Sequence, residues 1–277
     1  MDIDQAYEQC HRIIKRYSKT FSKAFSYLPK DRKRAVWAVY GFCRYVDDVV
    51  DEGEAPVEHL NEIKEELYRF EQGQNVPDRP FWVALQDVRS KFDIRFEPYY
   101  DMIKGQEMDL SIVELKTEQE LLDYSYHVAS SVGLMLLPIL APGKYEILKE
   151  DAIRLGYAMQ ITNILRDVGE DLEKSRVYIP KETYESFGYT KQLFEDKKIT
   201  PAFIDTWEYL ARQAENYYSH AMSTVSYYPL SSRFPVKGAA HLYRGILDAV
   251  RKEDYDVFTR RAFVGEEEKQ RIIARLQ

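Results

Sequence analysis

Two short stretches of the 277-residue chain carry side-chain oxygens in a repeated spacing. The first is Arg44-Tyr-Val-Asp47-Asp48-Val-Val-Asp51. The second is Gln160-Ile-Thr-Asn163-Ile-Leu-Arg166-Asp167-Val-Gly-Glu-Asp171. Asp47 and Asp51 stand four residues apart, and so do Asn163, Asp167 and Asp171. On an α-helix that spacing stacks side chains on one face, about 5–6 Å apart between Cβ atoms. Gln160 joins the face of Asn163, and Arg44 and Tyr40 join that of Asp47. Stacked carboxylates repel each other, and acids late in a helix also meet the negative end of its macrodipole. Cations must compensate. Carboxylate and amide oxygens without His or Cys suit a hard ion, Mg²⁺ before Zn²⁺. Mg²⁺ is typically shared between one or two carboxylates and the phosphates of a substrate. Two such faces directed at each other would hold several Mg²⁺ ions with a diphosphate between them, and Arg44 and Arg166 would add positive charge. Charge developing on a departing diphosphate would be stabilised there. The carbocation left behind would need a dry, aromatic-lined cavity.

These residues need long helices to carry them, and the pattern supplies them. Residues 35–43 (Ala-Val-Trp-Ala-Val-Tyr-Gly-Phe-Cys) and 152–159 (Ala-Ile-Arg-Leu-Gly-Tyr-Ala-Met) are apolar nearly all round, as in helices buried on most sides. The first predicts a helix over 30–52 ended by Gly53, and the second a central helix over 146–172. Amphipathic spacing predicts further helices over 4–17, 58–71, 80–92, 97–110, 118–140, 201–227, 231–253 and 256–277. Pro201 suits a first helical turn. The segment 18–29 is polar and aromatic by turns and stops at Pro29. Residues 173–200 read as charged loop with short helices. No run of alternating strand residues and no fixed-period repeat is visible, so one all-α domain over 1–277 is expected.

Composition bounds the function. A net charge of −7 excludes nucleic acid as a partner, although a local Arg cluster can still bind a small anion. The 22 tyrosines and 13 phenylalanines suit an aromatic-lined cavity, and equally a core built from aromatics. Two cysteines, Cys10 and Cys43, without a CxxC do not make a disulfide framework. The N-terminus lacks the basic and apolar regions of a signal peptide, and the longest apolar run, 132–142, falls short of the ~20 residues that span a bilayer. A cytoplasmic protein, at most peripheral on a membrane, is expected. GxGxxG, GxxxxGK[ST] and HExxH are absent, and the five histidines do not cluster.

Together, Asp47-Asp48-Val-Val-Asp51 and Asn163-Ile-Leu-Arg-Asp-Val-Gly-Glu-Asp171 resemble the head-to-head trans-prenyl synthases that make squalene, dehydrosqualene and phytoene. The likeness continues in Tyr17-Ser-Lys-Thr-Phe21, Arg34-Ala-Val-Trp-Ala-Val-Tyr40, Gly105-Gln-Glu-Met-Asp-Leu110, Arg176-Val-Tyr-Ile-Pro180, Tyr243-Arg-Gly-Ile-Leu-Asp248 and 255–264. It implies an isoprenoid-synthase helical bundle around a central cavity, where two prenyl diphosphates bind with Mg²⁺. By position it makes Asp47, Asp51, Asn163 and Asp167 metal ligands, with Asp48 and Asp171 supporting. Arg44, Gln160, Arg166, Tyr243 and Arg260 would hold diphosphate. Tyr17, Ser18 and Phe21 would flank the site. Tyr40 and Tyr124 would be cavity tyrosines, Tyr124 aiding diphosphate loss or proton removal, though Tyr124 and Tyr243 also read as plain core tyrosines. The expected catalytic set is Asp47, Asp51, Asp167, Asp171, Tyr124, Arg44 and Arg166.

The resemblance leaves the product to be argued. Phe25 and Trp37 fall on helices that border the cavity in this fold, and bulk at its floor favours fifteen-carbon substrates. Against this, Gly105-Gln-Glu-Met-Asp-Leu110 is more like the phytoene synthase version. Sterics decide chain length, so dehydrosqualene from farnesyl diphosphate is the expected product. The alternatives are phytoene from geranylgeranyl diphosphate, squalene with NADPH, or farnesol from a diphosphatase on the same fold. The absence of a nucleotide fingerprint leans against NADPH. A thirty-carbon oil implies transient membrane contact, but no amphipathic anchor stands out, and the sequence is silent on oligomeric state.

Overall fold

The computed structural model describes residues 1–276, the Glu52 side chain excepted. Its first half holds α1 (Ile3–Tyr17), α2 (Lys19–Phe25), α3 (Lys30–Glu52), α4 (Pro56–Glu71), α5 (Pro80–Lys91) and α6 (Glu97–Asp109). Next, α7 (Glu118–Ser125) runs through a π-helical turn (Tyr126–Ser130) into α8 (Ser131–Leu140). The centre is α9 (Tyr145–Arg166), followed by α10 (Val168–Glu173) and the short α11 (Lys181–Ser186) and α12 (Lys191–Glu195). Finally come α13 (Pro201–Ser223), α14 (Leu230–Lys252) and α15 (Glu266–Leu276). The fold is all-α. Among the described residues no strand forms, and one isolated parallel bridge joins Glu114 to Val177.

Local chemistry fixes the helix starts. Thr117, Thr190 and Thr200 each accept a hydrogen bond from the amide three residues on, at 3.1, 3.3 and 3.2 Å. Ser18 does the same for Phe21 at 3.3 Å and starts α2, a helix that the polar-aromatic alternation hid. Proline occupies the first turn of α4, α5, α6 and α13. α9 packs against α13, α8, the π turn and α14, while α3 packs against α1, α5, α8 and α6. The Trp207 indole of α13 donates to the Leu165 carbonyl at 3.0 Å, anchoring the end of α9. Its full burial adds about 2–3 kcal/mol of apolar transfer energy. Among the described residues no helix is long and apolar enough to cross a membrane.

Three expected helices are interrupted. The central one kinks at Asp167, whose φ of −101° leaves the helical well. The amide of Gly169 turns to the Val257 carbonyl at 2.9 Å, out of the helical ladder. The ladder survives on the acidic side: Asp167 still donates to Asn163, and Asp171 to Asp167, both at 2.9 Å. The helix expected over 118–140 carries the π turn, which bulges Val128 and Ala129 into the cavity. The helix expected over 256–277 begins only at Glu266. Asp254 and Tyr255 are left-handed (φ 53° and 61°), and the Asp256 carboxylate accepts from the Thr259 amide at 3.1 Å, making a turn. The expected end at Gln277 lies outside the described residues.

The π turn touches α9 through Gly156. A Cβ there would sit 2.4 Å from the Ser130 Cα and Oγ. Gly→Ala in a helix ordinarily adds stability. Gly156→Ala is expected instead to destabilise by about 1–3 kcal/mol through overpacking, measured by urea unfolding; wild-type stability or a gain would contradict this packing.

Candidate active site

The acidic residues come together through the ends of α3, α6, α9 and α10. On α3, Tyr40, Cys43 and Asp47 share one face by i, i+3, i+7 spacing and line a cavity of about 380 Å³. On α6, Gln106 and Asp109 line it three residues apart. On α9, Leu155, Gly156, Met159, Gln160 and Asn163 do so. Gln106 donates to Asp47 at 2.8 Å, and Lys174, just past α10, binds Asp51 at 2.9 Å. The two acidic stretches therefore face each other across the cavity mouth.

Charge at this mouth is poorly balanced. Burial pushes Asp47 up to about 7, with Asp51, Asp109 and Asp48 adding repulsion against the pull of Arg44. Burial, with Asp167 beside it, pushes Asp171 up to about 7 as well. Asp109 is raised by burial even though Tyr178 donates to it at 2.7 Å. Asp109 acts on both Asp47 and Asp171, so it stands between the two stretches. Asp167 is the compensated member: Arg166 Nε binds it at 2.6 Å and Arg261 Nε at 3.2 Å. Nδ2 of Asn163 donates to Gln160 Oε1 at 3.4 Å, but its buried Oδ1 has no hydrogen-bond partner. A buried acceptor left unpaired costs about 1–3 kcal/mol.

Among the described residues no three acids, histidines or cysteines converge closely enough to hold an ion by themselves. The donor chemistry still fits Mg²⁺. That ion takes one or two carboxylates and completes its shell with water and phosphate oxygens. An unpaired amide oxygen beside under-compensated carboxylates is the kind of half-site it needs.

Tyr17, Ser18, Phe21, Phe25, Tyr40, Tyr124, Gln160, Asn163 and Tyr243 all line the cavity with Asp47. Phe21 stacks on Tyr243 at 5.0 Å and on Phe25 at 5.7 Å. Tyr124 stacks on Tyr178 at 4.9 Å, and burial holds its hydroxyl protonated far above the ordinary range. Apart from Tyr228, the rest of the lining is mainly aliphatic, with Met102, Val128, Val132, Leu136, Leu137, Leu140 and Val236.

Arg166, Asp167 and Asp171 stand beside the mouth and not in the lining, and five further expected residues lie outside it. Trp37 does not border the cavity; it stacks on His11 at 4.1 Å between α1 and α3. Arg44 and Asp48 pair with each other on the neighbouring face of α3, in an outer cleft with Arg12, Arg16 and Arg79. There Arg44 lies 4.1 Å over the Tyr17 ring. Asp48 follows Asp47 directly and is turned about 100° from it around α3, while Arg44 stays near enough to pull on the Asp47 charge. Asp51 is exposed at the rim. Arg260 is 67% exposed and pairs with Asp256 at 3.5 Å, because the turn at 254–259 directs it outward; its neighbour Arg261 reaches Asp167 and Glu170 instead. Sequence reading gave no role to Gln106, Asp109, Tyr178, Lys174 or Arg261. Gln106 and Asp109 were visible as an i, i+3 pair within Gly105-Gln-Glu-Met-Asp-Leu110, whereas the other three arrive through loops that no periodicity predicts.

An apolar, aromatic-lined chamber with acids, amides and arginines at its mouth defines a class: an all-α protein that encloses an apolar ligand with a charged head. Comparison with known proteins narrows it. A model of the squalene/phytoene synthase family matches residues 14–268, and the chain belongs to that family of prenyltransferases. It is 37% identical to 4,4'-diapophytoene synthase of Staphylococcus haemolyticus over 99% of this chain and 97% of that one. It is 35% identical to phytoene synthase of Arthrospira platensis, covering 94% and 88%. Among solved structures, a ligand-bound dehydrosqualene synthase superimposes with a TM-score of 0.94 at 37% identity, covering 99% and 96%.

The raised acids make a pH prediction for the metal-free protein. Below the unfolded carboxylate value, about 4, folding meets no penalty from them. As pH rises towards 7 the unfolded chain sheds their protons while the folded chain retains them, so stability falls. Asp171→Asn removes the share that Asp171 contributes. It is expected to raise the melting temperature by a few degrees at pH 8 and by less at pH 4.5, in differential scanning calorimetry with a chelator. An equal shift at both pH values would contradict the burial of this charge.

Proposed function

We propose that the chain joins two farnesyl diphosphates head to head, through a cyclopropyl diphosphate, to give dehydrosqualene. Head-to-head prenyl condensation is the chemistry of the family. The substrate length and product are our reading, as are one domain for the whole chain and Mg²⁺ as the cofactor. The observation that carries the length is Phe25. It lines the cavity one α2 turn beyond Phe21 and two beyond Ser18, about 10 Å deeper along the helix. In this reading its ring blocks the path of a longer tail. Relatives named for the C30 and C40 products are similarly identical to this chain, so the floor must decide.

Asn163, Asp47 and Asp171 would hold Mg²⁺, with Asp51 and Asp167 available once Lys174 and Arg261 turn to phosphate. The bound metal would neutralise charge growing on the leaving diphosphate. The chain's own groups do the rest. Arg166 and Arg261 sit beside Asp167 as guanidinium donors for phosphate oxygens. Burial keeps Tyr124 protonated, so in this reading it donates to a phosphate oxygen and takes no proton. Phe21, Phe25, Tyr40 and Tyr243 present ring faces to an allylic cation, while the aliphatic lining excludes the water that would quench it to an alcohol.

Incubation with farnesyl diphosphate and Mg²⁺, without reductant, is expected to yield dehydrosqualene. Squalene formed only with NADPH would contradict the product, and farnesol alone would contradict condensation. Phe25→Ala is expected to raise the preference for geranylgeranyl over farnesyl diphosphate by about tenfold or more in kcat/KM. An unchanged ratio would remove Phe25 as the length gauge.

A further inference from the structure

The segments that supply Phe25 and Tyr228 to the cavity lining also form an outer surface. Phe25 is followed by Ser26 and Tyr27, and Tyr228 is preceded by Tyr227 and followed by Pro229 and Leu230. Tyr27 is 51% exposed, Tyr227 52% and Leu230 79%. The two segments are tied into one face. Tyr27 meets Phe234 edge-on at 4.9 Å. Arg32 Nη1 donates to the hydroxyls of Ser231 (2.8 Å) and Ser232 (2.9 Å). Lys33 donates to the Ser26 carbonyl at 3.3 Å, and Arg233 clasps the carbonyls of Ser226 (2.6 Å) and Tyr228 (2.8 Å).

Charge sets this face apart. Segments 26–34 and 226–237 carry six Lys or Arg (Lys30, Arg32, Lys33, Arg34, Arg233, Lys237) and one acid, Asp31, in a chain of net charge −7. Arg34 is spent on Asp4, and Asp31 pairs with Lys91 at 3.4 Å. A protruding leucine and two tyrosines within a basic rim suit the headgroup layer of an anionic bilayer, where amphipathic rings settle and Lys and Arg meet lipid phosphate. A soluble acidic partner would meet the cations but would not need the exposed apolar tips.

We propose that this face docks on an anionic lipid surface, setting the outer side of the Phe25–Tyr228 wall of the cavity against the membrane. The docking does not rest on the condensation proposed above, and co-sedimentation of the substrate-free protein with vesicles tests it alone. The wild type is expected to bind phosphatidylglycerol/phosphatidylcholine vesicles, less so as salt rises, and to bind phosphatidylcholine alone weakly. The exposed-site double variant Tyr27→Ser/Leu230→Ser is expected to lose about tenfold in partitioning while keeping its melting temperature. Lys30→Glu/Lys33→Glu is expected to weaken binding to the anionic vesicles only. No binding, equal binding to neutral vesicles, or binding unchanged in the double variant would overturn the proposal. So would a concentration-dependent dimer, seen by sedimentation velocity, that the double variant abolishes, because the occupant would then be a second copy. Vesicle binding without any condensation product would leave the docking in place and sink the reaction.

Discussion

Uncompensated negative charge at the mouth of a dry chamber is the constraint on which the rest depends. Asp47, Asp109 and Asp171 stand in buried surroundings that hold them towards protonation. Beside them the Asn163 Oδ1 lacks any donor. Gln106 and Tyr178 donate to Asp47 and Asp109, yet a fold assembled only for stability would also set cations beside such acids or leave them in water. Here they are half-buried between α3, α6, α9 and α10, and the nearby cations, Arg166, Arg261 and Lys174, are bound to Asp167 and Asp51. The balance is completed by something that brings positive charge and oxygen ligands together.

The helices follow from that demand. α9 must be apolar almost all round to carry Asn163 to the chamber while packing on α13, α8 and α14. The kink at Asp167 keeps the 163–167–171 ladder yet lets Gly169 bind the segment that brings Arg261 in. The π turn, pressed on Gly105 and Gly156, sets the wall opposite α3. Polar mouth and apolar interior suit the two ends of a prenyl diphosphate.

Much of this was legible in the residues. The 30–52 helix was read to its ends because its signals are local: Pro29 before it and Gly53 after it. The two acidic ladders were legible as spacing, and their opposition as electrostatic need. What escaped was set by tertiary contacts. Where the Arg44 side chain turns depends on the Tyr17 ring that receives it. Trp37 was assigned to the cavity by its helix, and its place was decided by a histidine of another helix. Arg261 rather than Arg260 reaches Asp167 because two left-handed residues, Asp254 and Tyr255, turn the chain where periodicity suggested helix.

The most direct measurement is thermal unfolding of the unliganded protein with Mg²⁺, with pyrophosphate, and with both. A mouth that lacks cations but binds them through phosphate oxygens predicts a clear rise in melting temperature with both together, little with either alone, and loss of the rise in Asn163→Ala. No rise with the pair, or an equal rise from pyrophosphate without metal, would contradict a metal-and-diphosphate site at this mouth.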